Sequence, residues 1–190
     1  MTQEEIAKKL RDCIRNAKRD EAKGIKHNGL IIGTPNNEEA KNYIKKAKRE
    51  LELCEFYKEK EFDYKIPEEW FYTLYYCALA ILSKFGVESR SQRYTALFLR
   101  YIKEKNLIDY ENNYIDRITV YSKKGDESEV DKREEARYSS SIEIESVKKR
   151  YEEITILCKN AIFQAEEIIF SNEDFKIPEE LLSENFYNNL

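Results

Sequence analysis

Residues that break helices are scarce in this sequence. Only 5 of the 190 residues are glycine and only 3 are proline. Long stretches rich in lysine, glutamate, leucine and isoleucine separate these positions. The composition predicts an all-α protein, and the length corresponds to a single domain.

The motifs of several enzyme classes are also missing. The sequence contains no Walker-type phosphate loop, no GxGxxG, no paired-aspartate metal motif and no GxSxG elbow. NTPase, dinucleotide-binding and α/β-hydrolase functions are therefore unsupported, and we expect no cofactor.

Metal-ligand spacing is absent too. The four cysteines (Cys13, Cys54, Cys77 and Cys158) form no CxxC pair, and the only histidine, His27, is not beside any of them. This pattern does not fit a zinc site, so we predict no metal. We expect the thiols to fill the core of a protein in a reducing cytoplasm.

Long hydrophobic runs are lacking as well. The longest, residues 70–82, falls short of the ~20 residues that a membrane-spanning helix needs. The chain opens with Met-Thr-Gln-Glu-Glu, which does not resemble a secretory signal. We therefore expect a cytoplasmic protein that makes no membrane contact.

The charge is close to balanced overall but uneven along the chain. The formal net charge of -4 argues against a protein that coats nucleic acid over its whole surface. Residues 84–105 are nevertheless locally basic, and residues 171–190 are mainly acidic. The 41% of hydrophobic residues, with 14 Tyr and 9 Phe, supply a core and exclude general disorder.

Hydrophobic spacing predicts a bundle of five to six helices. The first helix begins after Thr2, where Glu5 completes a capping box, and fades near Gly24. Residues 24–35 read as a glycine-rich loop, with a short extended piece at residues 30–32.

The third helix is predicted to be the centre of the bundle. Asn36 or Asn37 caps the helix before it, and Pro67 suits its own first turn. Residues 70–85 are apolar on nearly every side, and Gly86 ends the helix. We therefore expect this to be the most buried element.

The remaining chain is predicted to hold an amphipathic basic helix over residues 91–105, a shorter helix within residues 109–121 and a long last helix over residues 145–170. The heptapeptide DYKIPEE at residues 63–69 recurs as DFKIPEE at residues 174–180. Either a helical hairpin is duplicated, or two helix starts use the same Pro-Glu-Glu solution.

Three segments resemble archaeal members of the HEPN family, small all-helical domains often found as RNA-cleaving toxins or as partners of nucleotidyltransferases. They are the small and apolar helix at residues 47–57, the stretch YYxxLAILxKFGxESRxQ at residues 75–92, and Arg133-x-x-Ala136-x-Tyr138 before the last helix. The resemblance implies a HEPN-like bundle over residues 36–170. Residues 1–35 are then an N-terminal extension, and residues 171–190 are an acidic tail.

The family resemblance also implies a homodimer whose cleft brings two arginine motifs together on RNA. In active members an Arg-x(4–6)-His motif cleaves RNA without a metal: the arginine holds the scissile phosphate, and the histidine assists attack by the 2′-hydroxyl. This chain has Tyr138 five positions after Arg133. The ordinary pKa of tyrosine, near 10, is about three units too high for general-base work at pH 7. Arg133 can still grip a phosphate in a forked geometry.

Other candidates follow from charge and ring chemistry. We predict that Arg90, Arg93, Arg100 and Arg137 contribute to nucleic-acid binding. A solvated helix face is the alternative for Arg93, Arg100 and Lys103, and salt bridges to nearby acids are the alternative for Arg133 and Arg137. Tyr138 could instead be an aromatic residue at the core edge. Tyr72, Tyr75 and Tyr76 are expected in the core rather than in base stacking. His27 is expected to be exposed in its loop.

Two functions remain open from the sequence. One is an RNA- or nucleotide-binding protein with weak or degenerate metal-independent ribonuclease activity. The other is a non-catalytic interaction module that partners a nucleotidyltransferase or a similar protein.

Overall fold

The computed structural model describes residues 1–119 and 144–182. These residues form a mostly helical fold, which confirms the predicted all-α class. The elements in chain order are α1 (Gln3–Ala22), β1 (Leu30–Ile32), α2 (Asn37–Glu59), a 3-10 turn (Asp63–Lys65), α3 (Ile66–Lys84), β2 (Val87–Ser89), α4 (Gln92–Glu104), α5 (Asn112–Arg117), α6 (Ile144–Phe170) and α7 (Glu179–Leu182). Five of these helices are long, whereas α5 and α7 have six and four residues.

The first two helices begin at the predicted caps. The Thr2 hydroxyl accepts the backbone N–H of Glu5 at 3.2 Å, and the Glu5 carboxylate accepts the N–H of Thr2 at 2.8 Å. The Asn36 side chain accepts the N–H of Glu39 at 3.0 Å. Each cap satisfies backbone donors that have no partner within the helix, so both sequence predictions are confirmed.

Helix α3 is the centre of the bundle, as its continuous apolar sequence predicts. It packs most extensively against α2 and α6. Trp70, Phe71, Leu74 and Ile81 are each no more than 1% exposed. The indole of Trp70 lies against α6, where its N–H points to the Thr155 hydroxyl at 3.4 Å. Because α3 is buried almost completely, most of its apolar surface is removed from water, and this burial stabilises the fold.

A two-stranded ribbon packs against α1 and α3. Strands β1 and β2 pair antiparallel, with Leu30 opposite Ser89 and Ile32 opposite Val87. The extended piece predicted at residues 30–32 is therefore confirmed, whereas its partner strand β2 was not predicted from the sequence. Gly29 precedes β1 and lies so close to α1 that a Cβ there would be 2.8 Å from the Cys13 sulfur.

The cysteines behave as core residues. All four are free and buried, and burial raises the pKa of the Cys13 thiol to about 11. Burial also raises the pKa of the Cys54 and Cys77 thiols, so these three thiols stay protonated and unreactive at neutral pH.

The described part of the acidic C-terminal stretch packs on the bundle. The Glu180 carboxylate accepts the Tyr101 hydroxyl at 2.6 Å and lies 2.7 Å from the Lys105 ammonium. The ring of Phe175 packs on Phe85 with centroids 5.0 Å apart, and Leu181 is buried. Residues 171–182 thus contact α1, α3 and α4 rather than lying in solvent.

The repeated heptapeptide precedes or begins a helix at both of its positions. In the first copy Pro67 lies in the first turn of α3, and in the second Pro178 immediately precedes α7. No helix within the described ranges is long and apolar enough to cross a bilayer.

Candidate nucleic-acid interface

The predicted arginines that the structure describes, Arg90, Arg93 and Arg100, have different surroundings. Arg133, Arg137 and Tyr138 lie outside the described residues. Arg100 is half-buried and donates to the Asp116 carboxylate at 2.7 Å, so its charge is largely neutralised within the fold. Arg93 is exposed on the outer face of α4.

The prediction for His27 is wrong. Its side chain is buried, with only 3% of the residue exposed. The backbone N–H of Gly29 points to Nδ1 at 3.4 Å, and Nε2 lies 3.5 Å from the carboxylate of Glu88 on β2. The physical reason is that Gly29 packs closely against α1. The chain just before Gly29 is therefore held against the fold, and the imidazole of His27 lies inside it.

Arg90 belongs to the same group of side chains as His27. Its Nε forms an ion pair with Oε1 of Glu88 at 2.8 Å, the oxygen that faces Nε2 of His27. We call His27, Glu88 and Arg90 the ribbon cluster. It places one carboxylate oxygen between two nitrogen donors at the end of β2.

Three tyrosines form a stack on the outside of α2 and α3. The rings of Tyr43 and Tyr76 have centroids 6.1 Å apart with planes inclined by 21°, and those of Tyr76 and Tyr72 have centroids 5.9 Å apart with planes inclined by 25°. All three side chains are half-buried. We call Tyr43, Tyr72 and Tyr76 the tyrosine ladder. The core location expected for Tyr72 and Tyr76 is therefore only partly met.

Lys46 adds charge to the ladder. Its ammonium nitrogen lies 5.4 Å from the centroid of the Tyr43 ring and 5.4 Å from that of the Tyr76 ring. Both distances are within the range of a cation–π contact. The ladder therefore presents aromatic faces together with a cation, rather than a plain apolar surface.

The phenols of Tyr43 and Tyr76 have raised pKa values. Burial raises the pKa of Tyr76, with a further contribution from the Glu50 carboxylate. Burial also raises the pKa of Tyr43, with contributions from the carboxylates of Glu39 and Glu88. Raised pKa values keep both hydroxyl groups protonated at neutral pH.

Helix α3 carries a second pair of stacked rings, Phe71 and Tyr75. The rings of Phe71 and Tyr75 have centroids 5.6 Å apart, and the Tyr75 hydroxyl hydrogen-bonds to Thr95 on α4. Tyr75 is therefore anchored to the neighbouring helix and positions the outer face of α3.

A basic cleft adjoins the ladder along α2. Its volume is about 490 Å³, and its lining residues are Glu39, Asn42, Tyr43, Lys45, Lys46 and Arg49. Three of these side chains are cationic and exposed, against one carboxylate. The combination of stacking faces and neighbouring cations can hold bases and phosphates at the same time. Sequence reasoning missed this cleft, although Tyr43 and Lys46, three positions apart, were the available signal.

A carboxyl pair lies beneath the ladder between α2 and α3. Glu69 is 8% exposed, and the pKa of its carboxyl group is raised to about 8 by burial and by the hydrogen bond that its protonated form donates to the Glu50 carboxylate. At neutral pH Glu69 therefore keeps its proton and shares it with Glu50.

An apolar stripe lies on the outer face of α6. Ile156, Phe163 and Phe170 are 58%, 61% and 56% exposed. They are seven positions apart, so they line up along the helix. Large side chains exposed in a row are typical of an interaction surface.

Comparison with known proteins gives no relatives. The chain matches no family model, no curated protein and no solved structure. Within residues 1–119 and 144–182 no group of three or more histidine, cysteine, aspartate or glutamate side chains could hold a metal ion.

Proposed function

We propose that this protein binds single-stranded RNA on the tyrosine ladder and the basic cleft beside it. The observation that supports this is the stack of Tyr43, Tyr76 and Tyr72, with the Lys46 ammonium against two of the rings. Bases stack on aromatic side chains irrespective of sequence, and each stacked base contributes about 1–3 kcal/mol to binding. Lysine and arginine beside the rings then contact the phosphates.

The HEPN resemblance is part of this proposal. Arg133 supplies a second phosphate contact, and weak cleavage without a metal is the remaining activity of a motif that has Tyr138 in place of histidine. The Arg133→Ala variant should therefore bind RNA more weakly than wild type and should lose the weak cleavage activity.

The deciding experiment measures RNA binding by fluorescence anisotropy over a series of salt concentrations. Wild type should bind a single-stranded oligoribonucleotide, and log K should fall linearly with log salt. Tyr76→Ala should weaken binding about tenfold, which corresponds to the loss of one stacked base. The matched control is Phe62→Ala, which removes a 47% exposed ring from the turn after α2. Equal binding by Tyr76→Ala and wild type would reject the ladder as the RNA surface.

The second candidate function is a non-catalytic interaction module, and the apolar stripe on α6 favours it. The three exposed side chains are spaced seven residues apart, so an antiparallel copy of α6 would pair Phe163 with Phe163 and Ile156 with Phe170. A homodimer, or a complex with a nucleotidyltransferase, would cover this surface. Absence of RNA binding at low salt together with a stable dimer would favour this function over the first.

A further inference from the structure

The ribbon cluster holds one oxygen atom between two donors. Oε1 of Glu88 lies 2.8 Å from Nε of Arg90 and 3.5 Å from Nε2 of His27. The oxygen is therefore ion-paired with the guanidinium, whereas 3.5 Å is too long for a good N–H···O bond to the imidazole.

The imidazole has a buried donor without a hydrogen-bond partner. Nε2 of His27 is buried and makes no hydrogen bond within the described residues. Since Nδ1 faces the N–H of Gly29 and accepts from it, a neutral ring carries its proton on Nε2. This N–H points toward the position that Glu88 Oε1 approaches. An unsatisfied buried donor costs free energy that a better-placed acceptor would recover.

The two donors are held by the backbone rather than by Glu88. The backbone N–H of Arg90 donates to the carbonyl of Gly29 at 3.0 Å, and the ribbon pairs Glu88 with Ile31. Gly29 is in turn fixed against Cys13 of α1. The Glu88 side chain itself is 51% exposed, so it can rotate into solvent without uncovering the core.

We propose that the ribbon cluster is a phosphate-binding site in which the Glu88 carboxylate takes the place of a phosphate oxygen until a ligand displaces it. The ligand class is a terminal phosphate, as in inorganic phosphate, a 5′-nucleotide or the 5′-phosphorylated end of RNA. Arginine provides a forked set of donors for such an anion, and the imidazole N–H adds a second direction. A phosphate oxygen at hydrogen-bond distance from both would satisfy the buried donor of His27.

Of these ligands, the 5′-phosphorylated end of RNA would link the ribbon cluster to the proposed RNA surface. This extension to RNA ends rests on the proposed function, whereas binding of phosphate itself does not depend on it.

The test uses NMR of the imidazole. His27 is the only histidine in the chain, so its resonance is assigned without further variants. Titration with inorganic phosphate, at ionic strength held constant with chloride, should shift the signal saturably at fixed pH. Arg90→Lys should weaken phosphate binding about tenfold, because the forked donor is lost. Arg19→Lys on the exposed face of α1 is the matched control and should match wild type.

Glu88→Gln gives the sharpest outcome, because it removes the competing carboxylate. Phosphate should bind this variant about tenfold more tightly, whereas a residue needed only for structure would give no such gain. Circular dichroism checks that each variant is folded. If a variant does not fold, the titration of wild type still tests whether phosphate binds. No saturable shift in wild type, or the same response in Arg90→Lys as in wild type, would overturn the proposal.

Two further arms separate the ligand sources and the two proposals. If the ligand is an RNA end, an oligoribonucleotide with a 5′-phosphate should bind more tightly than the same oligonucleotide with a 5′-hydroxyl. If the ligand is a nucleotide, a free 5′-nucleotide should bind more tightly than the 5′-phosphorylated oligonucleotide. The phosphate-dependent shift should persist in Tyr76→Ala. Failure of RNA stacking on the ladder is then distinguishable from failure of the phosphate site.

Discussion

The ring of Tyr43 on α2 stacks on the ring of Tyr76 on α3, with centroids 6.1 Å apart. These two helices make the largest helix–helix contact in the described fold, so the stack lies over a rigid seam. Both rings are half-buried, which fixes their orientation while leaving one side of the stack accessible. A surface ordered before binding loses little conformational entropy when a base stacks on it.

Lys46→Ala should reduce the salt dependence of RNA binding. If the lysine beside the two rings contacts one phosphate, its removal lowers the slope of log K against log salt by about one. The measurement is anisotropy at several salt concentrations with one oligoribonucleotide. Lys18→Ala, which removes an exposed lysine from α1, is the control and should leave the slope at its wild-type value. An unchanged slope in Lys46→Ala would mean that this lysine does not contact the phosphates.

Glu69→Gln should make the protein more stable at alkaline pH. The pKa of the Glu69 carboxyl group is raised from 4.5 to about 8, so between these values the folded chain binds more protons than the unfolded chain. Wild-type stability must then fall as pH rises from about 4.5 to about 8. An amide cannot ionise and can still hydrogen-bond to Glu50, so the variant should gain about 2 kcal/mol over wild type at pH 9.

Denaturant unfolding at a series of pH values checks this prediction. The free energy of unfolding of Glu69→Gln should vary less with pH than that of wild type. Glu52→Gln replaces an exposed carboxylate on α2, the helix that carries Glu50, and should keep the wild-type profile. Parallel profiles for wild type and Glu69→Gln would show that the buried pair does not hold a proton.

Local patterns predicted the helices well because the information lies within each segment. The unbroken apolar stretch from Trp70 to Phe85 identifies a buried helix, and the caps at Thr2 and Asn36 are visible as short motifs. The partner of β1 could not be predicted in this way. Strand β2 has three residues, and its pairing depends on a contact between distant parts of the chain.

The site illustrates the same limit. A histidine between glycine-rich turns usually lies in solvent, but His27 is buried because Gly29 contacts Cys13 of α1. The tyrosine ladder likewise depends on the register of α2 against α3, which aligns Tyr43 with Tyr76. Neither contact leaves a trace in hydrophobic periodicity, since periodicity indicates a face and not its neighbour. The roles of Arg133 and Tyr138 stay predictions.

Gly86→Ala should be far more destabilising than Gly24→Ala. Both glycines have positive φ, +73° and +70°, so alanine costs about 1 kcal/mol at either position for its backbone conformation. At Gly86 an added Cβ would also lie 2.8 Å from the carbonyl oxygen of Gly33, whereas at Gly24 it would meet open space. We expect a total loss of about 2–4 kcal/mol for Gly86→Ala by chemical denaturation. Equal losses would mean that the ribbon adjusts freely around Gly86.

Glu180→Gln should change the acid sensitivity of the fold. Hydrogen bonds from Lys105 and Tyr101 lower the pKa of the Glu180 carboxyl group from 4.5 to about 2. The pair stabilises the fold above about pH 4.5, and this contribution is lost as pH falls toward 2. Because the site is partly exposed, we expect a loss of less than about 1 kcal/mol at pH 7 and a shallower acid transition in the variant. A steeper acid transition in Glu180→Gln would contradict this assignment.

Phe163→Glu should abolish self-association, if the apolar stripe of α6 forms a homodimer. A two-fold axis at Phe163 would place Ile156 of one copy opposite Phe170 of the other, because these residues lie seven positions on either side. On one flank Lys159 would then approach Glu166 of the second copy, which gives charge complementarity across the seam.

Light scattering of wild type should give twice the chain mass of 22.7 kDa, and Phe163→Glu should give the chain mass itself. Ile25→Glu places the same charge on a 55% exposed side chain in the loop before β1 and should stay dimeric. A wild-type mass of 22.7 kDa at all concentrations would reject the homodimer, and a dimer that persists in Phe163→Glu would place its interface elsewhere.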